Sequence, residues 1–112
     1  MLGRNLVQNF PVIDRWANGI ATSIKSIDLG AKSYQNISTL TLTVRGYIDT
    51  LAKWQGQPKA LGGVQILSDQ IQGRVLELAI PTGATQTQMA ALQRLQQYAG
   101  TVGVTLKIIV IP

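Results

Sequence analysis

Apolar positions recur along this chain in two rhythms, and those rhythms assign most of its elements. From Asn36 onward, Leu40, Val44, Tyr47, Ile48, Leu51 and Trp54 fall three or four places apart. That spacing stacks side chains on one face of a helix, and Gly56 and Pro58 follow as stop signals. Leu40-Thr41-Leu42-Thr43-Val44 alternates as a strand would, but the length of the segment and the later pattern favour helix. Met89, Leu92, Leu95 and Ala99 mark one face of a second helix, opened by Thr85 and Gln88 in the form of a capping box and ended by Gly100 and Gly103.

The other rhythm is that of strands. Residues 12–16 and 20–27 flank Ala17-Asn18-Gly19, a turn signal, and together predict a hairpin. Residues 74–80 form a continuous apolar run closed by Pro81, as expected for a mostly buried strand, and residues 104–111 read as the closing strand. Residues 2–10 predict a short helix ended by Pro11, because the residue before proline is pushed out of the α region. Residues 29–36 read as a loop, and Gly62-Gly63 to Gly73 as a connector with an extended piece at residues 64–67. The predicted order is α-β-β-α-β-α-β, a mixed α/β domain over residues 1–112, with a right-handed crossover in its last strand–helix–strand unit.

Composition narrows the chemistry more than the fold. With 46% hydrophobic and 13% charged residues the chain is too apolar for disorder. No stretch approaches the roughly 18 apolar residues of a membrane span, and the first residues lack the pattern of a secretory signal, so transport elsewhere would depend on something outside this chain. Cysteine and histidine are both absent. That excludes disulfides, thiolate and imidazole zinc sites, and every nucleophile system that relies on histidine. A net charge of +5 favours an anionic partner.

Only five carboxylates remain: Asp14, Asp28, Asp49, Asp69 and Glu77. Asp14 stands in the first predicted strand. In the second, the period of two puts Ser23 and Lys25 on one face. A carboxylate on one strand, with a polar residue two places before a lysine on the next, suits metal-assisted phosphodiester cleavage. The carboxylate would hold Mg2+ or Mn2+, and the lysine would orient water or stabilise developing charge. An ordinary cross-strand ion pair between Asp14 and Lys25 fits the same spacing. Asp28 is a further metal candidate or a turn former. Arg15, Lys32, Tyr34 and Arg74 are candidate contacts to nucleic acid. Asp49 and Glu77 read as surface charges, and Tyr47 and Trp54 as core.

Asn5-Leu6, Asn9-Phe10-Pro11, Ile13-Asp14, the block from Ala21 through Ser23-Ile24-Lys25-Ser26-Ile27-Asp28-Leu29, and Ser33-Tyr34 together resemble the C-terminal nuclease domains of contact-dependent growth inhibition toxins. More distantly they resemble the PD-(D/E)XK nuclease superfamily. The likeness continues through Tyr47-Ile48, Arg74-Val75-Leu76-Glu77, Ile80-Pro81 and Gly103-Val104. It implies a toxin endonuclease carried at the tip of a large surface exoprotein, acting in the cytoplasm of a neighbouring cell and neutralised in the producer by an acidic immunity protein. Its implied substrate is RNA, tRNA above all, with DNA as the alternative. Asp14 matches the metal-binding aspartate and Lys25 the motif lysine, whereas Ser23 stands where the superfamily usually has Asp or Glu. A non-catalytic basic binding module is the rival from another class.

Overall fold

Asn18 and Gly19 both take positive φ, 54° and 78°, which a two-residue hairpin turn matched to strand twist requires. The turn joins β1 (Arg15–Ala17) to β2 (Ile20–Ser26), antiparallel, with Ala17 opposite Ile20. These elements belong to a computed structural model that describes residues 3–112. β1 is shorter than the alternation suggests. Val12 has φ 67° and Asp14 lies one residue before the strand, although the Asp14 amide still donates to the Thr22 carbonyl at 2.8 Å.

Asn36 caps α1 (Ile37–Lys53), its side-chain oxygen accepting from the Ser38 and Thr39 amides at 2.9 and 3.3 Å. Leu40, Val44, Ile48 and Leu51 are fully buried, each burial contributing roughly 1.5–3 kcal/mol. That resolves the strand-or-helix ambiguity at residues 40–44 in favour of helix. The capping box at Thr85 and Gln88 opens α2 (Gln86–Thr101) as expected.

The main sheet has the order β1-β2-β5-β6, where β5 is Gly73–Pro81 and β6 is Val104–Ile111. β2, β5 and β6 are mutually parallel. Both crossovers, β2-α1-β5 and β5-α2-β6, step the same way across the sheet, so right-handed connections place both helices on one face. Leu76, Leu78 and Ile80 of the central strand form the core with the helices.

Two expectations change. The extended piece expected at residues 64–67 is β4 (Val64–Ile66), but it pairs with an unforeseen strand, β3 (Gln57–Leu61), where Pro58 reads as a helix stop, in a second hairpin with Gly62 and Gly63 at φ 59° and 78° in the turn. Pro58 and three successive exposed residues in β3 concealed it, since neither gives a strand alternation. The predicted first helix is absent among the described residues, and Leu2, which would begin it, lies outside them. Residues 3–14 instead run irregularly along β1. The Asn5 side chain bonds both the Trp16 amide and carbonyl, at 2.9 and 3.0 Å, and the Asn5 and Leu6 amides both donate to the Asp14 carbonyl. Such side-chain bonds to backbone compete with helix. Leu6, Phe10 and Ile13 still bury themselves, as an apolar plug rather than a helical stripe.

Candidate active site

The hairpin brings Asp14 to the Ser23–Lys25 stretch. One Asp14 oxygen, Oδ2, accepts the Ile24 amide at 2.7 Å, so the carboxylate lies against the residue between Ser23 and Lys25. The other oxygen, Oδ1, is ion-paired with the Arg4 guanidinium. Asp14 is buried, and a buried carboxylate needs both a hydrogen-bond donor and a counter-charge. Arg4 also reaches back to the Val7 and Gln8 carbonyls at 3.3 and 3.5 Å, closing the turn before Pro11.

Lys25 makes no ion pair with Asp14, so the ordinary cross-strand salt bridge is not what the spacing encodes. Its ammonium lies 5.3 Å from the ring centre of Tyr47 on α1. Cation–π attraction steadies the charge there without neutralising it. Lys25 therefore lies on the helix-covered face. Ser23 lies on that face by the strand period and is 2% exposed. Tyr47, read from sequence as a core residue, thus also positions the lysine. Its membership of the apolar helical face was visible in the sequence, but its partner was not.

The other candidates lie apart. Asp28 accepts the Gly30 amide at 3.0 Å in a local turn beyond β2, three residues and roughly 10 Å along extended chain from Lys25. It borders a cleft of about 370 Å3 with Ser26, Ile80 and Pro81 at the carboxyl ends of the strands. Arg15 pairs with Glu77 at 2.6 Å and donates to the Gly3 carbonyl at 3.3 Å. Glu77 is therefore a buried partner, not a free strand-face charge. Arg74 donates to the Trp54 carbonyl at 2.7 Å, beyond the end of α1. Lys32 is exposed in a 3-10 turn, and Tyr34 packs half-buried against the core.

Among the described residues no three His, Cys, Asp or Glu side chains cluster as a ready-made metal cage. The oxygen donors fit a different kind of site. Mg2+ commonly takes one or two carboxylates and completes its shell with water and substrate phosphate. Asp14 can supply that single carboxylate, through Oδ1.

Known proteins resemble this chain in sequence and in fold. A family model described as the CDI toxin restriction endonuclease-like domain matches residues 1–109. Deoxyribonuclease CdiA-o11 of Escherichia coli O157:H7 (strain EC869) is 34% identical over 106 residues, covering 92% of this chain and 28% of that protein. Deoxyribonuclease CdiA of Yersinia pseudotuberculosis serotype O:3 (strain YPIII) is 27% identical over 110 residues, covering 96% of this chain and 10% of that protein. The chain thus spans about a quarter and a tenth of those relatives. A chain of a CdiA-CT/CdiI toxin and immunity complex from Yersinia pseudotuberculosis superposes with a TM-score of 0.78 at 24% identity, covering 100% of this chain and 91% of that one.

These relatives correct the expected substrate. Both curated relatives are deoxyribonucleases, which overturns the preference for RNA and tRNA drawn from the resemblance. With the mixed sheet, the helices on one face and a match across nearly its whole length, the chain belongs to the CDI toxin restriction endonuclease-like domain family.

Proposed function

We propose that this domain is a DNA endonuclease, the toxic part of a contact-dependent growth inhibition protein, which cleaves the DNA of a recipient bacterium. The observation that carries the proposal is the Asp14 carboxylate seated on the Ile24 amide, between Ser23 and a Lys25 whose charge is held but not neutralised. The deoxyribonuclease relatives supply the substrate class.

In this reading Asp14 would hold a divalent cation, Mg2+ or Mn2+, which when bound would supply Lewis-acid polarisation of the scissile phosphate. Lys25 faces the charge that develops on the phosphoryl oxygens, where a fixed cation in a partly dry site is worth more than in water. Ser23 can offer a hydroxyl to the same phosphate. A hydroxyl is a weaker cation ligand than the usual carboxylate, so a bound cation would rely more on water and substrate oxygens. The net charge of +5 draws the domain to the DNA backbone.

The same charge suits inhibition by an acidic immunity protein, since complementary potentials speed association. A toxin and immunity complex is the state in which the superposed Yersinia protein was solved. In its natural setting the domain is the delivered C-terminal part of a much longer exoprotein, acting in the recipient cytoplasm.

The test is cleavage of supercoiled plasmid and of total tRNA, each with Mg2+ or with EDTA, by wild type, Asp14→Asn and Lys25→Met. The expected outcome is plasmid cleavage that needs the cation, intact tRNA, and a loss of about 100-fold or more in each folded variant. Undiminished cleavage by both variants would refute the site. Inertness of the wild type towards plasmid, with tight DNA binding, would instead identify a binding module.

A further inference from the structure

The geometry points to Arg4 as the residue that contests Asp14 with the divalent cation, and so sets the cation affinity of the site. This rests on the reading of Asp14 as the cation ligand. The Asp14 side chain is only 12% exposed, and the Arg4 side chain, itself 21% exposed, lies over it. Oδ2 is committed to the Ile24 amide at 2.7 Å, a bond at the end of the β1–β2 ladder. Oδ1 is the oxygen left for a metal, and it is the one the guanidinium holds. A divalent cation on Oδ1 would sit within a few ångströms of that fixed positive charge, where repulsion between partly buried like charges is strong. The carboxylate therefore takes one cation or the other.

Arg4 has a second attachment. Its Nη1 donates to the Val7 and Gln8 carbonyls, and the neighbouring Asn5 is locked to Trp16 through two hydrogen bonds. The backbone around Arg4 thus stays on β1 while the long side chain can swing. Without a divalent cation the guanidinium keeps the buried carboxylate paired. With the cation bound, it turns outward at the mouth of the site.

The test measures Mn2+ binding without DNA, by the electron paramagnetic resonance signal of free Mn2+. Wild type, Arg4→Gln, Arg4→Lys and Asp14→Asn are compared. Arg4→Gln keeps a donor for the two carbonyls and removes the charge, and it should bind Mn2+ on the order of tenfold more tightly, the scale of a partly exposed charge pair. Arg4→Lys keeps the charge and should stay close to wild type. Asp14→Asn should abolish the binding. Arg4→Gln binding no more tightly than wild type, while Asp14→Asn is silent, overturns the contest and leaves Asp14 as the ligand. Asp14→Asn binding as wild type does removes the cation-site reading itself, and the contest with it.

A measurement on the wild type stands even where a variant fails to fold. On titration with diamagnetic Mg2+, the Arg4 side-chain Nε–H resonance should shift in step with occupancy of the site. A resonance that stays put at saturation overturns the proposal.

Discussion

Lys25 shows how one side chain can be held without being silenced. A carboxylate partner would fix the ammonium but cancel its field, whereas the Tyr47 ring at 5.3 Å holds it and leaves the charge uncancelled. Removing the ring should therefore cost turnover more than binding. Tyr47→Leu is expected to lower kcat on plasmid DNA by about three- to tenfold with little change in KM, and Tyr47→Phe, which keeps the ring, to stay near wild type. Steady-state kinetics on the pair checks this, and equal losses in both variants would assign the role to the hydroxyl. The spacing of Ser23 and Lys25 and the scarcity of carboxylates singled these residues out as candidates in the sequence. Arg4 was not legible. Nothing local distinguishes it from other basic residues until folding buries Asp14 and demands a counter-charge.

At the scale of elements, Gln88 ties α2 to the loop that leads into α1. Its buried amide donates to the Leu29 and Tyr34 carbonyls at 2.9 and 3.0 Å and accepts the Thr85 amide at 3.0 Å. The Leu29 carbonyl has a second donor in Gln35, so Gln88→Ala chiefly orphans Tyr34. The expected destabilisation is about 2 kcal/mol, measured by urea denaturation. Across the helix pair, the Tyr98 hydroxyl donates to Asp49 at 2.5 Å. That bond, more than any other influence, raises the phenol above its ordinary value of 10.0. A raised value means the fold favours the protonated phenol, so the stabilisation is complete below pH 10.0 and is lost as pH rises through the raised value. Denaturation of wild type and Tyr98→Phe at about pH 8 and about pH 11.5 should show the gap between them narrowing at the higher pH. The capping box and helical stripes announced both helices. The β3–β4 hairpin stayed hidden because its exposed strand has no buried face to impose alternation.

For the whole molecule, the net charge of +5 bears on the association proposed with DNA. Binding of the Asp14→Asn protein to duplex DNA, followed by fluorescence anisotropy, should weaken on the order of tenfold or more between about 50 and about 200 mM salt, as expected when several phosphates release counterions. A flat response would show that DNA is not held through its backbone. The Arg15–Glu77 pair belongs to this scale too. It spans 62 positions of sequence and joins the first strand to the centre of the sheet. Arg15 thereby supports the sheet, and its availability to DNA depends on leaving Glu77.

The sequence by itself determined the helical faces, the Asn18-Gly19 turn, the buried central strand and the exclusion of histidine and cysteine chemistry. Each is set by short-range periodicity, by the φ preference of one or two residues, or by which side chains exist at all. Only the tertiary structure decided that residues 3–14 lie along β1 instead of forming a helix, that Asp14 answers to Arg4 and Ile24, and that Lys25 answers to Tyr47. Those pairings join residues ten or more positions apart, on separate segments of the chain. The burial that makes a counter-charge or an aromatic neighbour necessary exists only once the sheet and helices have closed around them.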